Sequence, residues 1–271
     1  MNSIQRSLLA LGAAVMVFSL GACSDDDTVT PSNNKQYYPT TSGSFWVYNT
    51  FTIDSTGAQS TEIQTTDSLV AGSKKMIGGK NATEFINHMM MDGQASHDTS
   101  YSYSENSQIY NYINISEFSP LGDMEANSMW VKSADFNASG EWQILDQTLP
   151  PVQLPLGFFT GDTSNETMIT MTPKFTSKAR KGITKQVSYS GKTHSAQEIV
   201  TTTSVSMSNL IFGGVPTGQS INFNIINKAY FVENIGMVQS ITEPTTINLP
   251  LGMGSYSIEG DAQILIRHNV K

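Results

Sequence analysis

Residues 36–54 read "QYYPTTSGSFWVYNTFTID", and their rhythm decides the fold class. Phe45, Val47, Phe51 and Ile53 alternate with Trp46, Tyr48 and Thr52. A two-residue period rich in aromatic and β-branched side chains marks a half-buried strand. Asp54 and Gly57 then supply a turn. Similar runs recur over residues 83–91, 96–104, 108–115, 168–176, 186–189, 198–207, 220–226, 230–241 and 256–266. Turn residues separate them: Gly78-Gly79-Lys80-Asn81, Asp92-Gly93 and Ser190-Gly191-Lys192. Asp-Gly is a strong signal for a tight two-residue hairpin. Helical periodicity is weak throughout, and residues 122–130 are the best short helix candidate. The expectation is an antiparallel all-β fold of ten or more strands, a meander curved into a half-open barrel. A two-sheet β-sandwich is the alternative, with the proline-rich stretch 149–159 as its crossover.

One internal echo stands out. "VQLPLGFF" at 152–159 resembles "INLPLGMG" at 247–254. Paired loops beside a site and chance likeness between two apolar loops are both open readings, and chance is favoured.

The N-terminus carries a different signal. Arg6 precedes an apolar run over 8–20, and Gly21 and Ala22 stand just before Cys23. This is the layout of a cleavable secretory signal over residues 1–22, too short to span a bilayer of ~30 Å comfortably. Leu20-Gly21-Ala22-Cys23 resembles the lipobox of bacterial lipoproteins. The resemblance implies that the Cys23 thiol is alkylated with diacylglycerol and becomes the new N-terminus. Several acyl chains on one residue make a stable anchor, at ~0.8 kcal/mol per buried CH₂. Ser24-Asp25-Asp26-Asp27 resembles the acidic export signal of Bacteroidota-type surface lipoproteins. It implies an outer-membrane protein facing the medium, with a periplasm-facing protein as the alternative. Residues 23–36 then form the lipidated cysteine and a flexible acidic tether, and residues 37–271 a single β-rich extracytoplasmic domain.

Composition narrows the function. The chain has 23 acidic and 15 basic residues, a formal net charge of −8. An acidic surface repels phosphate backbones, so nucleic acid is not an expected partner. Cys23 is the only cysteine, so no disulfide forms within the chain and the fold rests on packing.

Chemistry-bearing motifs are sparse. No Gly-x-Ser-x-Gly elbow occurs, and His88, His97, His194 and His268 lack zinc-protease spacing. "NHMMMDGQASHD" gathers His88, His97 and Met89, Met90 and Met91, side chains that suit soft metals. A hairpin turning at Asp92-Gly93 points successive methionines to opposite faces, so no metal site or cofactor is expected. Glu105, Asp123, Glu125, Asp135 and Glu141 are available as acids, and none is singled out. Lys174, Lys178, Arg180, Lys181 and Lys185 lie in a stretch without an acid between Glu166 and Glu198. They form a candidate patch for an anionic ligand, or a charged guard on an edge strand.

The domain also resembles, at its two ends, a group of bacterial lipoproteins of unassigned chemistry. Tyr38, Pro39, Gly43, Trp46 and Tyr48 carry the opening match. Asn234-Ile235-Gly236-Met237-Val238-Gln239 carries the late one, with Asn234 in place of a glycine and Gln239 in place of a lysine. The resemblance implies a β-rich extracytoplasmic domain. The functional expectation is a non-enzymatic, lipid-anchored surface domain that binds an apolar or glycan ligand. A structural or adhesion component is the second reading and a hydrolase the third.

Overall fold

The computed structural model describes residues 36–91, 94–114, 128–156 and 167–271. Residues 1–35, with the anchor and export signal expected at Cys23, Ser24, Asp25, Asp26 and Asp27, lie outside the described residues. So do the Asp92-Gly93 turn, Asp123 and Glu125.

The described residues form sixteen strands. The N-terminal half holds β1 (Phe45–Ile53), β2 (Gln59–Ile77), β3 (Lys80–Met91), β4 (Gln94–Glu105), β5 (Gln108–Asn114) and β6 (Ser128–Asp135). Next come β7 (Trp142–Thr148), β8 (Val152–Pro155), β9 (Met168–Tyr189), β10 (Lys192–Phe212) and β11 (Val215–Pro216). The chain ends with β12 (Ile221–Val232), β13 (Gly236–Thr242), β14 (Thr245–Asn248), β15 (Ser255–Ile258) and β16 (Gly260–Asn269).

One antiparallel path runs β6-β5-β4-β3-β2-β1-β16-β13-β12-β10-β9-β7. β8 and β11 add to β9 and β10, and β14 pairs with β15 in a small separate sheet. The path curls until its two ends, β6 and β7, stand side by side, so the barrel is nearly closed with one unsealed seam. The expected half-open meander is what forms. Turn chemistry sets the hairpins: Gly78 and Gly79, at φ 51° and 76°, give β2–β3 the twist a two-residue turn needs.

Alternation sorts each strand into an inner and an outer face. Ile221, Phe223 and Ile225 of β12 are buried, while Asn222 and Asn224 between them are exposed. β9 does the same, burying Phe175, Ser177 and Ala179 and exposing Lys174, Lys178 and Arg180. An apolar interior under a polar exterior is the reverse of a membrane-spanning barrel. Two core clusters fill it. One gathers Tyr38, Trp46, Tyr48, Phe85, Phe231 and Met237, and the other gathers Val131, Leu145, Met171, Val205 and Ile247. Each large apolar side chain fully buried there contributes roughly 1.5–3 kcal/mol.

Three local expectations are corrected. Residues 128–130 are not helical but open β6, where Trp130 faces Tyr112 across the ladder. Residues 230–241 are not one strand, because Asn234 and Gly236 take φ 61° and 104° and break it into β12 and β13. Conversely, residues 168–189 are one continuous strand, since the basic stretch keeps a buried residue at every second position as far as Ala179.

Candidate functional site

The inner wall is not uniformly apolar. Strand register carries polar residues round it in two adjacent rows. The first row runs Thr65, Thr50, Gln263 and Ser240 across β2, β1, β16 and β13. The second runs Thr52, Asp261, Thr242, Asn227 and Thr201 across β1, β16, β13, β12 and β10. Directly opposite partners in a ladder share a face, so these side chains project inward together. Asn227 Nδ2 donates to Ser240 Oγ at 2.9 Å and to Thr242 Oγ1 at 3.2 Å. Ser177 and Thr203 share a hydrogen bond of 3.0 Å one step further round.

Two carboxyls belong to this girdle. Asp67 lies beside Tyr48 in the ladder and is buried. Its Oδ2 receives Thr65 Oγ1 at 3.3 Å, with Thr50 Oγ1 and Gln263 Nε2 both at 3.4 Å. These are long for hydrogen bonds to a carboxylate. Burial therefore outweighs them and raises the Asp67 carboxyl above its usual range. Its Oδ1 is one of two buried side-chain atoms without a hydrogen-bond partner among the described residues, Tyr38 Oη being the other. Asp261 is pushed up to about 7 by burial, against the opposing hydrogen bond from Thr242.

A cavity lies behind the seam. Ala134 and Ser133 of β6 and Ile144 and Leu145 of β7 form its near wall, and Phe175, Ile199, Ala229 and Phe231 form the far one. Thr201, Thr203 and Asn227 bring the girdle to its edge. Its volume of about 40 Å³ holds about three waters. Across the seam, Trp142 Nε1 donates to the Lys132 carbonyl at 2.9 Å, with the Lys132 ammonium 5.3 Å from the indole centre. No backbone ladder joins β6 to β7 among the described residues.

The candidate bases share a strand but not a face. Lys174, Lys178 and Arg180 point outward, and Lys174 pairs with Asp146 at 3.0 Å. Lys181 pairs with buried Ile199 and donates to the Phe136 carbonyl at 3.1 Å. Lys185 lies over the Tyr230 ring at 4.8 Å. Alternation along β9 produces this split, and a bulge lies just beyond Lys181, between Gln197 and Ile199. At that bulge Glu198 is buried, accepting from Tyr230 Oη at 3.0 Å and the Ile183 amide at 3.3 Å. Burial, then Glu198, pushes the Tyr230 phenol up to about 12.

The candidate acids are dispersed. Asp135 is bound by Lys132 at 2.9 Å and Gln108 at 2.7 Å. Although burial pushes the other way, these donors and the Asn137 amide hold its carboxyl below the usual range. Glu105 lies 3.7 Å from Lys80 at the surface, and Glu141 is exposed. Asp67 and Asp261 were not among the candidates, although an acid in the inward phase of a strand, as in Thr65-x-Asp67-x-Leu69-x-Ala71, is a signal for both. Among the described residues, no group of three or more His, Cys, Asp or Glu side chains is placed to hold a metal ion. The two echo segments meet at one end of the barrel, where Leu156 and Leu249 line a shallow apolar crevice.

No family model matches this chain, and no curated protein matches it. Among solved structures, a "putative lipoprotein" from Parabacteroides distasonis aligns at 10% identity with a TM-score of 0.47. The alignment covers 88% of this chain and 100% of that one. A "putative exported protein" with a YmcC-like fold from Bacteroides fragilis aligns at 10% identity with a TM-score of 0.40, covering 87% and 100%.

Proposed function

We propose that this chain is a lipid-anchored protein of the outer membrane, exposed at the cell surface, whose barrel binds an apolar chain-like ligand without chemical conversion. Cys23 carries the anchor and Ser24, Asp25, Asp26 and Asp27 the export signal. The observation that supports binding is the cavity behind the β6–β7 seam. The wall there is mostly apolar, so it favours an acyl or similar chain over a sugar. At about 40 Å³ the cavity is too small for such a chain as it stands. Room comes from parting β6 from β7, which breaks side-chain contacts but no ladder hydrogen bond. Everywhere else on the path, parting two strands breaks a row of them.

The absence of conversion is part of the same reading. Asp67 and Asp261 lie on opposite sides of β1, beside Tyr48 and Thr52. Strand spacing and rise separate their Cα atoms by roughly 15 Å. Glycosidase carboxyl pairs work at about 5–10 Å, so these two suit a polar lining better than a reacting pair.

The test uses the full chain in detergent and a fluorescent polyene fatty acid. Saturable binding at one per chain is expected, with at least tenfold weakening in Ala134→Leu, which fills the cavity. Trp142→Phe, which loosens the seam, should speed association. No saturable binding by folded protein overturns the reading. Anchoring is checked separately: labelled palmitate should enter the wild type and not Cys23→Ala, and protease added to intact cells should digest the domain.

A further inference from the structure

We propose that His88, His97 and Met90 form a copper-binding site on the outer face of the β3–β4 hairpin. The register carries the argument. Met91 pairs with Gln94, Met90 with Ala95, Met89 with Ser96 and His88 with His97. The two imidazoles are therefore direct cross-strand partners on one face. Phe85 of β3 is fully buried, so Phe85, Asn87 and Met89 take the inward phase and Ile86, His88 and Met90 the outward one. The alternation that separates Met89 from Met90 is the same one that leaves Met90 with the two histidines.

The surroundings leave the site accessible. His88 and His97 are both exposed, and Met90 is 52% exposed. Ala95, opposite Met90, is small, and Ser68, opposite His88 on β2, is compact. Directly opposed Cβ atoms stand about 4.5–5.5 Å apart. Two ring nitrogens can then each approach one ion at about 2 Å. Two imidazoles take copper in preference to zinc by the general order of divalent affinities, and a thioether adds selectivity for Cu(I). With three protein ligands on an open surface, the remaining positions belong to water. The site is independent of the seam and its cavity, which lie on other strands.

The test is titration of the full chain in detergent with Cu(II), with Cu(I) under a competing chelator, and with Zn(II). One copper per chain is expected, bound more tightly than zinc, with a Cu(II) spin-resonance spectrum showing nitrogen coupling. His97→Ala and His88→Ala should each weaken Cu(II) binding at least tenfold. Met90→Leu should weaken Cu(I) about tenfold and leave Zn(II) unchanged. His268→Ala should change nothing, which guards against copper held at the other two histidines. His88, His97 and Met90 face solvent, and circular dichroism confirms that each variant is folded. Failure to bind copper, or binding unaltered in the His88→Ala, His97→Ala double variant, overturns the proposal.

Discussion

Trp46 donates its indole N–H to the carbonyl of Ile235 at 2.6 Å, across 189 positions of sequence. Tyr48 repeats the contact one step on, with its hydroxyl donating to the Met237 carbonyl at 3.0 Å. Tyr38 stacks on Trp46 at 5.0 Å, and both rings lie against Gly236, where an added Cβ would meet Tyr38 at 3.2 Å. The opening and closing motifs of the domain thus form a single structural lock. Asn234 in place of glycine fits, because its φ of 61° is a conformation asparagine tolerates better than most residues. Trp46→Phe keeps an aromatic ring but orphans the Ile235 carbonyl and leaves a void. It should cost about 2–4 kcal/mol, read as a lower urea midpoint at unchanged slope.

Gly182 and Glu198 form a second tight fit. A Cβ on Gly182 would lie 1.9 Å from Glu198 Oε2. Gly182→Ala should expel the carboxylate from its bonds with Tyr230 and Ile183, lowering stability by about 2 kcal/mol or more. The informative measurement is the double variant. In a Glu198→Ala background, Gly182→Ala should cost far less than it does alone. Additive losses would show that the carboxylate is not what the glycine accommodates.

The strands that sequence revealed are those with apolar residues in the inward phase, such as β1 and β12. β2 was missed because "QSTEIQTTDSLVAGSKKMI" is mostly threonine, serine and charge, and its first half is exposed. β6 and β7 were missed because each is short and borders the seam. Closure of the path by β16, between β1 and β13, is a long-range pairing that no local pattern encodes. The site fared worse for the same reason. The girdle is assembled by register across six strands, and the basic residues are divided between the two phases of a single long strand, which composition cannot show. His88 facing His97 was within reach, because the two-residue turn expected from the Asp92-Gly93 signal implies that pairing.

Asp261 should tilt the pH dependence of stability. Its carboxyl is pushed up to about 7 in the folded protein against a usual value of 3.8. The folded state therefore binds this proton more tightly than the unfolded chain. The stability it contributes is full below about pH 4 and is lost as pH rises towards 7, a change of about 4 kcal/mol at 1.36 kcal/mol per unit. Asp261→Asn removes the titration and keeps an oxygen to accept from Thr242. Relative to wild type, the variant should gain stability between pH 4 and pH 8 in chemical denaturation. An unchanged difference across that range would place the cost elsewhere.

His268 should tilt the same curve the other way. It sits opposite Trp46 in the β1–β16 ladder, and its Nδ1 shares a 2.7 Å hydrogen bond with Tyr189 Oη from the tip of β9. Burial, and then the neighbouring His194, hold its imidazole below the usual value of 6.5. The folded state thus favours the neutral ring. Its contribution is full above pH 6.5 and is lost as pH falls below that, when the unfolded chain takes up a proton that the folded one resists. His268→Gln retains polar contact with Tyr189 but cannot titrate. Its stability relative to wild type should rise as pH drops from 7.5 to 5, most visibly in the Asp261→Asn background, where the opposing slope is gone. Amide exchange at the β9–β10 tip should accelerate at pH 5 in the wild type and stay flat in the variant. If both proteins loosen alike, the Tyr189–His268 contact is not the pH-sensitive tie between that hairpin and β16.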